Sequence, residues 1–115
     1  MSNESRRARR RNVHESVMVI DTMTEQAIGR LGNISESGML LVANAPLVED
    51  ALYQLRFEII DRTGRTAAID VGAHLAWLGN AKTPGQSWVG LRFLTINESH
   101  LDVLRHWIER PETRS

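Results

Sequence analysis

The chain has 115 residues, no cysteine, an apolar fraction of 42% and a formal net charge of zero. This length suits one domain with a single buried core, and the lack of cysteine excludes disulfides and thiolate metal sites. No segment approaches the ~20 apolar residues of a membrane-spanning helix, and no uninterrupted apolar stretch follows the basic N-terminal segment as it would in a signal peptide. We therefore expect a cytoplasmic protein that does not insert into a membrane.

The N-terminal segment is strongly basic. Residues 1–11 hold five arginines and one acid, a balance of +4, whereas the rest of the chain has a balance of −4. The segment lacks apolar periodicity and has no large apolar side chain apart from Met1. We therefore predict a flexible arm over residues 1–12 that adds little to the stability of the fold. Its arginines are Arg6, Arg7, Arg9, Arg10 and Arg11.

The predicted domain covers residues 13–110, and its apolar side chains mostly recur with the period of two that is typical of strands. A polar corner at Ser35–Gly38 separates the second strand from the third, and Asp61–Gly64 predicts a hairpin turn. Gly72 predicts a bulge or a sharp coil in the long fifth strand. The six strands are predicted at about residues 13–21, 25–34, 39–43, 52–60, 67–77 and 87–93.

A helical period replaces the strand pattern near the end of the chain. Thr95 and Glu98 have the spacing of a capping box, and the pattern predicts a helix over residues 97–109 that Pro111 ends. Short strand connections followed by one amphipathic helix predict an all-β fold with a C-terminal helix. We expect a six-stranded antiparallel split β-barrel whose open side the helix covers.

Two short motifs carry the functional prediction. The arginines allow two Arg-x-x-x-Arg registers, Arg6/Arg10 and Arg7/Arg11, and the corner that begins at Asn33 has the pattern Asn-x-Ser-x-x-Gly. Guanidinium groups pair bidentately with phosphate or with the guanine edge. Short polar side chains can donate to an anion, and a glycine lets the anion approach the main chain. Together the two motifs predict a polyanionic, nucleotide-like ligand.

This arrangement resembles the PilZ domain, the bacterial receptor for cyclic di-GMP. In that family an Arg-x-x-x-Arg motif precedes the first strand, and an Asp/Asn-x-Ser-x-x-Gly motif lies at the corner after the second. The resemblance extends over essentially the whole chain. It implies a PilZ-like barrel that binds cyclic di-GMP and needs no other cofactor. It also implies that the arm closes over the ligand and alters a surface that an unidentified effector protein contacts.

The resemblance also implies roles for single residues. We favour the Arg7/Arg11 register because Arg11 lies nearer to the first strand, and Arg6 then becomes a flanking arginine of the kind that helps the family bind an intercalated ligand dimer. Asn33 would contact a guanine edge, Ser35 a base or a phosphate, and Gly38 would shape the turn. The implied ligand-binding residues are Arg6, Arg7, Arg10, Arg11, Asn33, Ser35, Gly38 and Trp77.

The three tryptophans are ambiguous from the sequence alone. A guanine could pack on Trp77, but this residue shares its phase with Ile69, Val71 and Leu75, so we expect it in the barrel core. We assign Trp88 and Trp107 to the interface between barrel and helix.

Other functions are less well supported. One alternative is a PilZ-fold module that binds proteins without a ligand, as in pilus biogenesis, and another is a small barrel that binds RNA or single-stranded DNA. The latter would need exposed aromatic residues and a basic groove on a strand face. Aromatic residues make up only 5% of the chain and the part after the arm is acidic, so we do not expect a nucleic-acid partner. The sequence has no catalytic motif and no metal-ligand spacing, so we expect neither an enzyme nor a metal site.

Overall fold

Alternating apolar side chains build a closed barrel in the computed structural model, which describes residues 9–110. The elements are β1 Arg11–Asn12, β2 Met18–Asp21, β3 Gln26–Ser35, β4 Gly38–Ala43, β5 Leu52–Ile60, β6 Thr66–Asn80, β7 Ser87–Ile96 and α1 Glu98–Glu109. The hydrogen-bonded order around the barrel is β3, β2, β5, β6, β7 and β4, and β4 pairs with β3 to close the ring. All of these pairings are antiparallel. This confirms the predicted six-stranded antiparallel barrel with one C-terminal helix.

The predicted alternation of buried and exposed side chains is present on β5. Leu55, Phe57 and Ile59 are buried, whereas Arg56 and Glu58 between them are exposed. The inward side chains of all six barrel strands join one core. Burying each such side chain contributes roughly 1.5–3 kcal/mol, so this alternation is the main source of stability.

Helix α1 lies over one opening of the barrel. Its buried side chains, Leu104, Trp107 and Ile108, belong to the same core as the strands. The helix contacts β3 and β6, which lie on opposite sides of the ring, and also β5. Along residues 9–110, no helix combines the length and the apolar character needed to cross a membrane.

The start of α1 differs from the prediction. Asn97 is the N-cap, and its Oδ1 accepts hydrogen bonds from the main-chain N–H groups of Ser99 at 2.8 Å and His100 at 3.3 Å. The predicted capping box with Thr95 is wrong, because β7 continues through Ile96 and holds Thr95 in the sheet. The short polar side chain of Asn97 then satisfies the first free amides of the helix.

The sheet begins earlier than the sequence pattern predicted. Arg11 and Asn12 form β1 and pair with Ile34 and Asn33 of β3. The main chain between β1 and β2 also follows β3, through hydrogen bonds from Val13 N to Gly32 O and from Leu31 N to Val17 O, both 2.9 Å. Residues 11 and 12, which the composition assigned to the flexible arm, are therefore part of the sheet.

Two β-bulges change which side chains face outward. One lies between Leu31 and Asn33 of β3, and the other lies between Leu75 and Trp77 of β6. An extra residue at each bulge reverses the inward and outward positions that follow. Trp77 is 46% exposed, so the prediction of a core position is wrong, and the bulge is the reason.

The other two tryptophans occupy different environments. Trp107 is buried in the barrel–helix interface, as predicted. Trp88 is 37% exposed on the outer face of β7, so its assignment to that interface is wrong. It has this position because it is one residue from the buried Val89, and successive strand residues face opposite sides.

Candidate ligand-binding cleft

A cleft of about 520 Å³ opens on the outer face of the barrel next to the Ser35–Gly38 corner. Strands β4 and β7 form its floor, where Gly38 is opposite Arg92 and Leu40 is opposite Gly90. Trp77 from β6 lies on one side, and Arg10 lies beside Asn33. The lining residues are Arg10, Asn33, Ser37, Gly38, Met39, Leu40, Ala76, Trp77, Gly90, Leu91, Arg92 and Phe93.

The two sequence motifs meet in this cleft through Arg10 and Asn33. The Arg10 guanidinium donates from Nη1 to Asn33 Oδ1 at 2.7 Å, although the two residues are 23 positions apart. The bulge at Gly32 turns the Asn33 side chain toward the outer face. Arg10 itself is exposed, so its remaining donors face the cleft and solvent.

Arg11, the first residue of β1, points to the opposite side from Arg10, toward the barrel–helix interface. It is 8% exposed, and its guanidinium carbon lies 4.1 Å from the centroid of the Trp107 ring. Its Nη1 donates to Trp107 O at 2.8 Å, and its Nη2 donates to Glu15 Oε2 at 2.9 Å. Arg11 therefore fixes the base of the arm to the end of α1 and does not line the cleft. This placement differs from the favoured Arg7/Arg11 register; Arg6 and Arg7 lie outside the described residues.

The corner itself is organised by Ser35. This residue is fully buried, and its Oγ accepts from Ser37 N at 3.2 Å and lies 3.1 Å from Ser37 Oγ. Ser35 thus shapes the turn, and Ser37 presents its hydroxyl group in the cleft. Gly38 has a steric role, because a Cβ atom there would overlap Leu91 O of the neighbouring strand.

Gly90 makes room for Trp77. A Cβ atom built on Gly90 would overlap Nε1 and Cε2 of the Trp77 indole, so the ring lies directly against the main chain of β7. Arg92 follows two residues later on the same outer face and adds a second cation to the cleft. Gly90 and Arg92 were not identified from the sequence as residues of the site. They alternate with the buried Val89 and Leu91, and this alternation could have indicated that they face outward.

Carboxylates do not contribute to the described lining of the cleft. The nearest acidic side chain in sequence, Glu36 of the corner, is bound by Arg105 of α1 at 2.9 Å. Away from the cleft, a hydrogen bond from the Thr63 side chain, followed by one from the main chain of Arg65, holds the pKa of Asp61 below its ordinary value. The cleft therefore combines two guanidinium groups, an amide, a hydroxyl and an exposed indole. Such a set suits a ligand that carries both negative charge and a flat aromatic ring.

No His, Asp and Glu cluster of three or more, as a metal ion would require, occurs within the described part of the chain. Comparison with curated proteins gave no match. The sequence does match the PilZ domain family, over residues 4–110.

Seven solved chains match this one, and two of them illustrate the shared fold. The first is the Bacillus subtilis inhibitor of motility MotI/DgrA, with a TM-score of 0.71 and 16% identity over 88% of this chain and 48% of that one. This chain thus spans about half the length of that protein. The second is the PilZ domain of YcgR from Escherichia coli, determined with c-di-GMP, with a TM-score of 0.63 and 18% identity over 90% of this chain and 88% of that one. Since the family match covers nearly the whole sequence and the fold agrees, the chain belongs to the PilZ domain family.

Proposed function

We propose that this chain is a receptor for cyclic di-GMP and that the ligand binds in the cleft between Arg10 and Trp77. The observation that carries the proposal is the 2.7 Å hydrogen bond from Arg10 to Asn33, which joins the arginine arm to the Asn33–Gly38 corner. The family match and the c-di-GMP complex of the similar YcgR domain support this choice of ligand. PilZ domains are binding modules, and we propose no reaction for this one.

The cleft offers a separate partner for each part of the ligand. The Arg10 fork matches the O6 and N7 acceptors of guanine, and Asn33 can pair with a guanine edge once Arg10 turns to the ligand. Arg92 and Ser37 can bind phosphate oxygens, and the exposed face of Trp77 can stack with a base.

The placement of Arg10 favours Arg6/Arg10 as the ligand-binding pair. Arg6 precedes Arg10 by four residues, the spacing that the family motif requires. In this proposal the arm folds over the ligand with Arg6 and Arg10 contacting it, and Arg7 adds positive charge. Arg11 anchors the arm through its contacts with Trp107 and Glu15.

The same contacts provide a route to a partner protein. The arm is joined to α1 by Arg11, and the corner is joined to α1 by the ion pair between Glu36 and Arg105. The arm and the corner are therefore both attached to one helix. We propose that closure of the arm shifts α1 and changes the surface that an effector protein contacts in the cytoplasm.

Calorimetric titration of the full chain with cyclic di-GMP tests the proposal, with cyclic di-AMP and GTP as controls. We expect binding of cyclic di-GMP and much weaker binding of cyclic di-AMP, because adenine lacks the guanine O6 acceptor and N1–H donor. Equal affinity for the two cyclic dinucleotides would mean that charge alone drives binding. No binding at all would favour the alternative of a PilZ-fold module that acts only through proteins.

Two substitutions at Asn33 sharpen this test. Asn33→Leu has a similar volume but no polar group, so it should reduce the discrimination between guanine and adenine, and Arg10 should supply what remains. Asn33→Asp retains an acceptor for the guanine N–H groups and should preserve the discrimination. If Asn33→Leu discriminates as well as the parent chain, Asn33 does not contact the base.

A further inference from the structure

A second groove of about 520 Å³ lies beside the cleft on the outer face of the barrel. We call it the Trp88 groove, and we define it by Arg30, Gly32, Val42, Lys82 and Trp88. It continues the cleft along the same three strands. On each of β3, β4 and β7, a residue that lines the cleft is one or two positions away from a residue that lines the groove. Asn33 and Gly32 of β3 are such a pair.

The indole of Trp88 is the main apolar surface of the groove. It lies opposite Val42 of β4, and a Cβ atom built on Gly32 would be 3.3 Å from its Cζ3 atom. The ring thus extends across β4 to the main chain of β3 at Gly32 and is still 37% exposed. A planar ligand can stack on such a supported ring.

Positive charge flanks this indole. Arg30 of β3 and Lys82 of the loop between β6 and β7 both line the groove and are both exposed. Within residues 9–110, neither side chain has a carboxylate partner, and no Asp or Glu lines the groove. Because no described carboxylate pairs with Arg30 or Lys82, their charge is left for an anionic ligand.

We propose that the Trp88 groove binds a nucleobase–phosphate unit, with the base stacked on Trp88 and the phosphate held by Arg30 and Lys82. An exposed aromatic ring between cations on a strand face is the composition of sites that bind single-stranded nucleic acid. Two sources have this chemistry: a second cyclic dinucleotide, and an oligonucleotide that extends along the face. The proposal goes beyond the ligand proposed for the cleft and does not require that ligand to bind.

Three variants of the full chain test the groove. They are Arg30→Ala/Lys82→Ala, Trp88→Ala and Trp88→Phe, and the charge-matched control is Arg62→Ala/Arg65→Ala in the turn between β5 and β6. The probes are cyclic di-GMP and a single-stranded RNA of five adenylates. Calorimetry gives the stoichiometry and affinity, and circular dichroism melting verifies that each variant is folded.

If an oligonucleotide occupies the groove, Trp88→Ala should weaken RNA binding by roughly ten-fold or more, and Trp88→Phe should restore most of it. The slope of log affinity against log salt is negative, and Arg30→Ala/Lys82→Ala should make it less steep by about 1.4, for two lost phosphate contacts. If a second cyclic dinucleotide occupies it, the same variants should remove one equivalent of cyclic di-GMP from the stoichiometry. Either result supports the proposal.

Unchanged binding of both probes in Trp88→Ala and in Arg30→Ala/Lys82→Ala would overturn the proposal. A loss in Arg62→Ala/Arg65→Ala equal to that in Arg30→Ala/Lys82→Ala would also overturn it, because overall charge alone would then explain the effect. Failure of the cleft proposal would give a different result from failure of the groove proposal. In that case cyclic di-GMP does not respond to Arg10→Ala, whereas RNA binding still responds to Trp88→Ala.

Discussion

Arg10 and Arg11 are identical neighbours in the sequence, but they lie in opposite environments. Arg10 is exposed at the cleft and donates to Asn33, whereas Arg11 is buried under α1 and bonds to Trp107 and Glu15. Arg11 begins β1 and directs its side chain inward to Trp107, whereas Arg10 precedes the strand and directs its side chain outward to Asn33. The comparison teaches that an arginine-rich segment can contain both an exposed cation that is accessible to a ligand and a buried structural cation. The partners of each guanidinium, and not its position in a motif, decide which role it has.

The largest expected effect is on stability, from Arg11→Ala. This change removes a buried cation–π contact and charge-assisted hydrogen bonds, so the free energy of unfolding should fall by about 2–4 kcal/mol. The melting temperature should then fall by roughly 10 °C, as measured by circular dichroism. Arg10→Ala is the matched control and should change stability by less than about 0.5 kcal/mol. Equal losses in the two variants would remove the distinction between the neighbours.

For ligand affinity, substitution of Arg10 should have a larger effect than substitution of Arg11. Arg10→Ala should weaken cyclic di-GMP binding by about ten- to a hundred-fold, the value of one bidentate contact to guanine. Arg11→Lys is the control, because lysine keeps the charge and retains part of the anchor to α1. Calorimetry should give this variant an affinity within a few-fold of the parent chain. A loss as large as that of Arg10→Ala would place Arg11 at the ligand after all.

A smaller effect should follow from Gly90→Ala. The new methyl group overlaps the Trp77 indole, which is half exposed and can rotate away, so the fold should tolerate the change. The displaced ring would no longer stack with a base, and affinity for cyclic di-GMP should fall by roughly five-fold or more. Calorimetry and melting curves measure the two quantities separately. A large loss of stability with unchanged affinity would contradict the role given to Trp77.

The smallest effect should come from the second link to α1, the ion pair between Glu36 and Arg105. These side chains are 38% and 50% exposed, so Arg105→Ala should lower stability by only about 0.2–0.5 kcal/mol. Salt should reduce even this difference. Urea unfolding at low and at high salt would measure it. A loss comparable to that of Arg11→Ala would mean that both links support the helix equally.

The fold could be read from the sequence because its signals are local. Alternation on β5, the Asp61–Gly64 turn and the helical period after β7 each depend on residues close together in the chain. The N-cap was less predictable, since both Thr95 and Asn97 are good capping residues. The choice between them depends on how far β7 extends beside β6.

The sequence by itself determined that positive charge is concentrated in the arm and that a polar corner forms at Asn33–Gly38. It also determined the strands of the barrel that carries both segments. Only the tertiary structure decided which side chains reach the cleft. The pairing register with the neighbouring strand shifts by one residue at the bulges of Gly32 and Ala76. A period of two in the sequence cannot predict such an extra residue, because its position depends on a strand that is distant in the chain. Likewise the burial of Arg11 depends on Trp107, 96 residues away.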